Sequence, residues 1–150
     1  MKRLILQQDT REQAPWLFAG YDVDVIIKSL SEGDYAALLG GEIVGLVERK
    51  SGTDFRGSVT HGRDRFEREL QRLAYSGVPC CIIVEDSLEN MCLPTVHTKA
   101  HPASIVNSGI SFFPKYGVPV FYCNSVEGAE YHAYHFLKFC VKYAEIGRAA

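Results

Sequence analysis

Three charged residues, Asp34, Glu48 and Lys50, are spaced so that they could act together on a phosphodiester. The run 43–47 is apolar and partly β-branched, so it reads as a strand that continues into Glu48-Arg49-Lys50. Strand side chains alternate faces, which puts Glu48 and Lys50 on one face, roughly 6–7 Å apart along it, and Arg49 on the other. Phosphodiester hydrolysis needs a hydroxide-like nucleophile, charge stabilisation on the phosphoryl oxygens and help for the leaving group. A divalent metal supplies all three. Mg²⁺ prefers hard oxygen ligands and keeps several waters, so Asp34 and Glu48 are the candidate ligands for Mg²⁺ or Mn²⁺. Lys50 beside them can hold the attacking water and offset charge in the transition state. Asp9 becomes a further candidate metal carboxylate if its strand neighbours this pair. Arg49 reads as support for a phosphate or a carboxylate, and Asp54 as a partner that orients a basic side chain.

These groups need elements to bring them together. Residues 3–8 read as a first strand, 15–19 as a short helix and Val23–Ile27 as a second strand. Residues 33–39 form a third, and Gly40-Gly41 is a strong hairpin signal joining it to Glu42–Lys50. That hairpin sets Asp34, near the start of one strand, beside Glu48, near the end of the other. Residues 63–76 make an amphipathic helix. Phe66, Leu70, Leu73 and Ala74 lie on one stripe, Arg65, Glu67, Arg68, Glu69 and Arg72 lie largely off it, and Gly77 stands at its C′ position. A buried strand at 79–84, an irregular stretch at 86–102, a helix at 103–113, a strand at 118–122 and a closing helix at 126–144 complete the chain. Alternating helices and strands in the second half imply parallel pairing there. The expected fold is α/β, a mixed sheet in which an antiparallel hairpin feeds parallel strands, flanked by helices. The 150 residues read as one domain, 1–150.

Composition narrows the partners. A net charge of −2 gives no global field for nucleic acid, so any such contact must be a local patch. Arg49, Lys50, Arg56, Arg63, Arg65, Arg68 and Arg72 supply one. Interspersed acids leave two readings open, a phosphate-tracking patch or a solvated helix face. No apolar run approaches the ~20 residues of a membrane span. The apolar start ends at Gln7-Gln8-Asp9, short of the ~7 residues of a signal-peptide core. The 5 cysteines include no Cys-x-x-Cys and suit reduced, packed thiols in a cytoplasmic protein, or a nuclear one in a eukaryote, rather than a secreted one. The pairs His97/His101 and His132/His135 lack acidic or cysteine company for zinc and read as structural or surface groups. His61 borders the charged motif and could assist a leaving group.

Gly33-Asp34-Tyr35, then Glu48-Arg49-Lys50-Ser51 and Asp54, resembles the signature of the XPF-type structure-specific DNA endonucleases, a branch of the PD-(D/E)XK restriction-endonuclease-like superfamily. That signature is Gly-Asp, a variable gap, Glu-Arg-Lys, three residues, then Asp, and every fixed position is met. Asp9-Thr10-Arg11-Glu12 is similar to the family's opening Asp-x-Arg-Glu. The resemblance implies that Asp34 and Glu48 bind metal, that Lys50 is the catalytic lysine, that Asp9 is the first acidic position, and that Arg49 and Asp54 are the remaining catalytic-motif residues. It implies a DNA partner, branched or partly single-stranded, with Arg11, Arg56, Arg63, Arg65 and Arg68 as candidate contacts. The basic helix departs from the family pattern, with Glu69 where Gln is expected. Family members usually carry a helix-hairpin-helix tail. This chain stops at Ala150 without one, which suits a stand-alone domain of viral or bacterial type, or a subunit relying on a partner.

The closing helix carries two apolar stripes. Val126, Ala129, Ala133, Leu137, Cys140 and Ala144 form one, and Tyr131, His135, Phe139 and Tyr143 form another. A helix apolar on two faces is central in a core or part of an interface. The resemblance favours the interface, in a homodimer or a pairing with a related subunit. The leading expectation is a Mg²⁺- or Mn²⁺-dependent endonuclease of DNA repair or recombination, acting on flaps, forks or junctions. The rivals are a catalytically silent DNA-binding or scaffold subunit and a junction-resolving or restriction-like nuclease.

Overall fold

In the computed structural model, which describes residues 2–150, six strands form one sheet in the order β2-β1-β3-β4-β5-β6. The strands are β1 (Leu4–Gln8), β2 (Val23–Ile27), β3 (Tyr35–Leu39), β4 (Glu42–Lys50), β5 (Cys80–Val84) and β6 (Val120–Tyr122). The helices are α1 (Gly52–Val59), α2 (Arg63–Tyr75), α3 (Leu88–Met91), α4 (Pro102–Tyr116) and α5 (Val126–Ala149). β3 and β4 pair antiparallel, β4–β5 and β5–β6 pair parallel, and β1 joins β3 antiparallel and β2 parallel. The architecture is thus the expected mixed α/β sheet. Gly40 and Gly41 turn the hairpin with φ of 61° and 81°, backbone that side-chain-bearing residues rarely adopt.

Each sheet face has its own core. On one, Leu4, Leu6, Tyr35, Val47 and Ile83 pack against Ala129, Ala133 and Leu137 of α5, with Trp16 and Phe18 completing the layer. On the other, Ala36, Leu46, Ile82 and Val84 meet Phe55 of α1, Phe66, Leu70 and Leu73 of α2, and Ile105 and Phe112 of α4. Burying each such apolar side chain contributes about 1.5–3 kcal/mol, which fixes α2 across the end of β4. β5 is buried along its whole length, as a central parallel strand must be.

Four local expectations change. Residues 15–19 form no helix. Trp16 N–H donates to the Tyr35 hydroxyl at 2.9 Å, Phe18 takes φ 51°, and both rings are held in the core, so packing overrides helical spacing there. A helix that periodicity did not reveal, α1, starts directly after Lys50. Its Ser51 N-cap accepts the Asp54 N–H, and Gly52 leaves no room for a side chain beside Asp86. The stretch 86–102 contains the single turn α3, capped by Ser87. Helix α4 runs through Pro114 to Tyr116, where Gly117 ends it at φ 73°. The five cysteines are free thiols, and no helix among the described residues is long and apolar enough to cross a membrane.

Candidate active site

The antiparallel register sets Tyr35 opposite Val47, and so Asp34 opposite Glu48. Asp34 N–H donates to Val47 O at 2.8 Å, and Asp9 N–H donates to Asp34 O at 2.9 Å. The ends of β1, β3 and β4 are therefore laced together at one edge. Arg49 N–H donates to Asp34 Oδ2 at 2.7 Å, which aims that carboxylate across the strand. Glu48 and Lys50 point to the face covered by α2. Lys50 Nζ lies 3.7 Å from Glu48 Oε1 and 4.9 Å from the Phe66 ring centroid. Burial raises the Asp34 carboxyl pKa, with the charges of Glu12 and Asp9 adding to it against the Arg49 N–H. Burial also raises that of Glu48, and the neighbouring Asp34 adds to the shift. Two half-buried carboxyls that repel each other form a place that a cation would stabilise.

Arg49 points to the other face and is fully engaged there. Its guanidinium bonds Glu85 Oε1 at 2.8 Å, Glu12 Oε2 at 3.1 Å and Ala14 O at 2.7 Å. It stacks on Trp16 at 4.7 Å, and Trp16 stacks on Tyr35 at 4.8 Å. The Tyr35 hydroxyl donates to Glu12 Oε2 at 3.1 Å. On the Lys50 face two clefts meet. A 210 Å³ hollow holds Arg11, Asp34, Glu48, Lys50, Glu69 and Arg72. A 510 Å³ cleft continues from it past Lys50, Arg65 and Glu69 to Thr53, Asp54 and His61.

The ERCC4 domain profile matches residues 8–136. The chain belongs to the ERCC4 domain family. XPF from Aeropyrum pernix superposes with a TM-score of 0.69 at 23% identity, over 93% of this chain and 61% of that one. XPF from Aeropyrum pernix in complex with DNA superposes with a TM-score of 0.70 at 23% identity, over 97% of this chain and 66% of that one. The chain thus spans less than two thirds of the length of these structures, whose fold it shares. A comparison with curated proteins finds no match.

Within this ERCC4 domain the sequence-derived residues take distinct places. Asp34, Glu48 and Lys50 converge. Among the described residues, no group of three or more His, Cys, Asp or Glu is placed to hold a metal. The pair nevertheless fits Mg²⁺, which is often held by one or two carboxylates with waters and phosphate oxygens completing the shell. Asp9 reaches the same edge, and each of its oxygens accepts one hydrogen bond. Oδ1 accepts Leu30 N–H at 2.9 Å and Oδ2 accepts Arg11 Nε–H at 2.7 Å. Burial alone would raise the Asp9 pKa, yet these donors together hold it below the ordinary carboxylate value. This geometry makes Asp9 a tie between the β1 end and the 28–34 loop. For Arg49, carboxylate support is the alternative the structure adopts. Asp54 lines the larger cleft, and no ion pair joins it to a basic side chain among the described residues.

The candidate DNA contacts of the domain divide. Arg65 and Arg11 line the clefts, and Arg68 is exposed on α2. Arg63 is half committed to Glu67 and Ser108. Arg56 is the correction. It is only 6% exposed, and its guanidinium donates to Asn90 O at 3.0 Å, so it braces α1 against α3 and cannot meet a phosphate. Arg72, from the basic patch, and Glu69, where the family pattern has Gln, also enter the clefts, although neither was a candidate contact. Their spacing from Arg65, on one polar face of α2, was the available signal. The contacts of Arg49 with Trp16, Glu12 and Glu85 are not legible in the sequence, because they arise only through tertiary pairing. Two histidines, the half-buried His132 and the exposed His101, serve the fold. His132 stacks on Phe121 at 4.5 Å, burial lowers its pKa, and His101 caps α4. His61 lines the larger cleft.

Proposed function

We propose that this ERCC4 domain is a Mg²⁺- or Mn²⁺-dependent DNA endonuclease that hydrolyses phosphodiester bonds in branched or partly single-stranded DNA, as repair and recombination require. The observation that carries the reading is the pair Asp34–Glu48, half-buried and mutually repelling, beside Lys50 at the junction of two clefts. Family membership and the DNA complex of the Aeropyrum pernix protein add support.

Asp34 and Glu48 would hold the metal. When bound, the metal supplies Lewis-acid stabilisation of the phosphoryl oxygens and a more acidic water. Arg49 N–H keeps one Asp34 oxygen fixed, so the free oxygen faces the cleft. Lys50 donates to the attacking water or to a non-bridging phosphate oxygen and offsets negative charge as it builds. Arg65, Arg72 and Arg11 border the clefts where the DNA backbone would run, and the exposed Arg68 extends that surface along α2. Pairing with a second copy or a related subunit would use α5, where Phe139, Tyr143 and Ile146 are exposed beside an apolar groove floored by Val44, Pro79 and Cys140.

Nicking of flap, fork and junction substrates with Mg²⁺, Mn²⁺ or a chelator tests the reading. Metal-dependent cleavage that is lost in Lys50→Ala and Asp34→Asn is expected. Undiminished cleavage by either variant overturns the assigned roles. A second reading, a silent DNA-binding subunit, draws on the site having two carboxylates rather than three acidic ligands. Tight binding of branched DNA with no cleavage in either metal would favour it.

A further inference from the structure

Among the described residues no strand pairs with the outer edge of β2, and Arg3 covers only its Val23 end. Val25, Ile26 and Ile27 are 38%, 45% and 67% exposed in succession. Edge strands are normally blunted by proline, a bulge or a charge at their centre, and here the charges stand only at the ends, at Asp24 and Lys28. The hydrogen-bond phase defines which backbone groups are free. Leu4 N–H donates to Asp22 O and Lys28 N–H donates to Gln8 O, with Leu4 level with Val23 in a parallel pairing. In a parallel ladder, alternate residues turn both of their groups to the same neighbour. Asp24 and Ile26 therefore face β1, while Val23, Val25 and Ile27 face outward. The Val23 carbonyl is already taken by Arg3 Nη2 at 3.1 Å. The free groups are those of Val25 and Ile27.

We propose that β2 pairs antiparallel with β2 of a second copy of this chain, about a twofold axis at Ile26. In that register Val25 of each copy meets Ile27 of the other, and each pair exchanges both backbone hydrogen bonds through the groups left free. Ile26 meets Ile26 at the non-hydrogen-bonded centre, where opposed Cα atoms approach to about 4.5 Å. Asp24 of each copy meets Lys28 of the other on the same face as Ile26, so opposite charges close both ends of the contact. Shifting the axis to Val25 would set Asp24 against Ile26 and direct pairing to the occupied Val23 carbonyl. Backbone phase, apolar centre and charge thus select one self-complementary register. Because β1, β3 and β4 lie on the same side of β2, the two candidate sites would open toward opposite ends of a continuous sheet. The contact is separate from the α5 face and does not depend on the nuclease reading.

Sedimentation of the full chain across the micromolar range tests the pairing. Wild type is expected to associate reversibly. Lys28→Asp sets one carboxylate against another at both ends of the contact and should raise the dimer dissociation constant about tenfold. Asp24→Lys should do the same by opposing two ammonium groups, and it also releases the Arg3 contact at 3.1 Å. The two variants mixed together present only opposite charges and should pair again with near wild-type affinity. Wild type that stays monomeric overturns the proposal. So does a dimer indifferent to Lys28→Asp, which would place self-association elsewhere, or a mixture that fails to restore pairing.

Discussion

The tip of β4 carries three consecutive charges whose two sides have opposite fates. On the side of Trp16, the Arg49 guanidinium meets Glu85, Glu12 and the Ala14 carbonyl, and the Tyr35 hydroxyl donates to Glu12 as well. On the side of α2, Glu48 shares its surroundings with Asp34, and Lys50 at 3.7 Å is the nearest cation. The first arrangement is saturated with protein partners and holds the strand end still. The second is left short of positive charge at an open cleft. Charge of similar burial thus stabilises the fold where it is matched and is available for chemistry where it is not.

That contrast is best broken by removing Arg49, the largest effect expected. Removing one partner of a buried ion pair costs about 3–5 kcal/mol, because the remaining charges stay buried. For a chain of this size each kcal/mol shifts the melting temperature by about 2–4 °C. Arg49→Ala should therefore melt at least several degrees lower, and Arg49→Lys should recover little, because ammonium cannot span Glu85 and Glu12 as the planar fork does. Calorimetry that finds Arg49→Ala as stable as wild type would undo the distinction between the two faces.

Lys50→Ala is the complementary test and the next largest. Loss of a positioned charge-stabilising donor lowers turnover about 10²–10³-fold. Stability should hardly change, since the Lys50–Glu48 contact is long at 3.7 Å. A single-turnover assay on a fork substrate beside a melting curve separates the two outcomes. A variant that loses stability as well as activity would show that the α2 face is also structural.

Glu48→Gln sharpens the comparison through pH. Burial and Asp34 raise the Glu48 carboxyl above the unfolded value of about 4.3, so the metal-free native state binds more protons than the unfolded chain. Stability therefore falls as pH rises from about 4.3 through neutrality. Glutamine removes that cost. The variant should match wild type near pH 4 and exceed it by about 1–2 kcal/mol near pH 8 in metal-free buffer. Equal pH profiles for the two proteins would mean that Glu48 carries no such strain.

How much of this was legible depended on the reach of each signal in sequence. Gly40-Gly41 defines the hairpin from local signals, but the meeting of Asp34 with Glu48 also needs a one-residue bulge at Val44, without which Asp34 would face Val47. Opposite faces for Lys50 and Arg49 follow from the period of two. What Arg49 meets does not follow, since Glu85 is 36 residues away and reaches it only through the parallel pairing of β5 with β4. Asp9 ends β1 at the site edge, but the Leu30 N–H that occupies its carboxylate comes from a loop with no sequence pattern of its own. Residues 15–19 look helical in isolation and are held out of a helix by the burial of Trp16 and Phe18. Helix α1 was missed because its inward face amounts to Phe55 and Val59, too few apolar residues to show a period.

The smallest expected effect tests whether matched and unmatched charge can be told apart among the arginines as well. Arg65 lies in the cleft with a long Glu69 contact of 3.4 Å and an 83% exposed side chain, whereas Arg56 is buried with its guanidinium on the Asn90 carbonyl. If Arg65 meets a phosphate, Arg65→Ala should reduce the slope of log affinity against log salt by about one while changing stability by no more than about 0.5 kcal/mol. Arg56→Ala should leave the slope unchanged and lower the melting temperature, since it removes the tie between α1 and α3. Both variants keep the same net charge, so a general electrostatic effect would move their slopes equally. Only contact with the DNA backbone would separate them, and equal slopes would return the α2 face to a solvated surface.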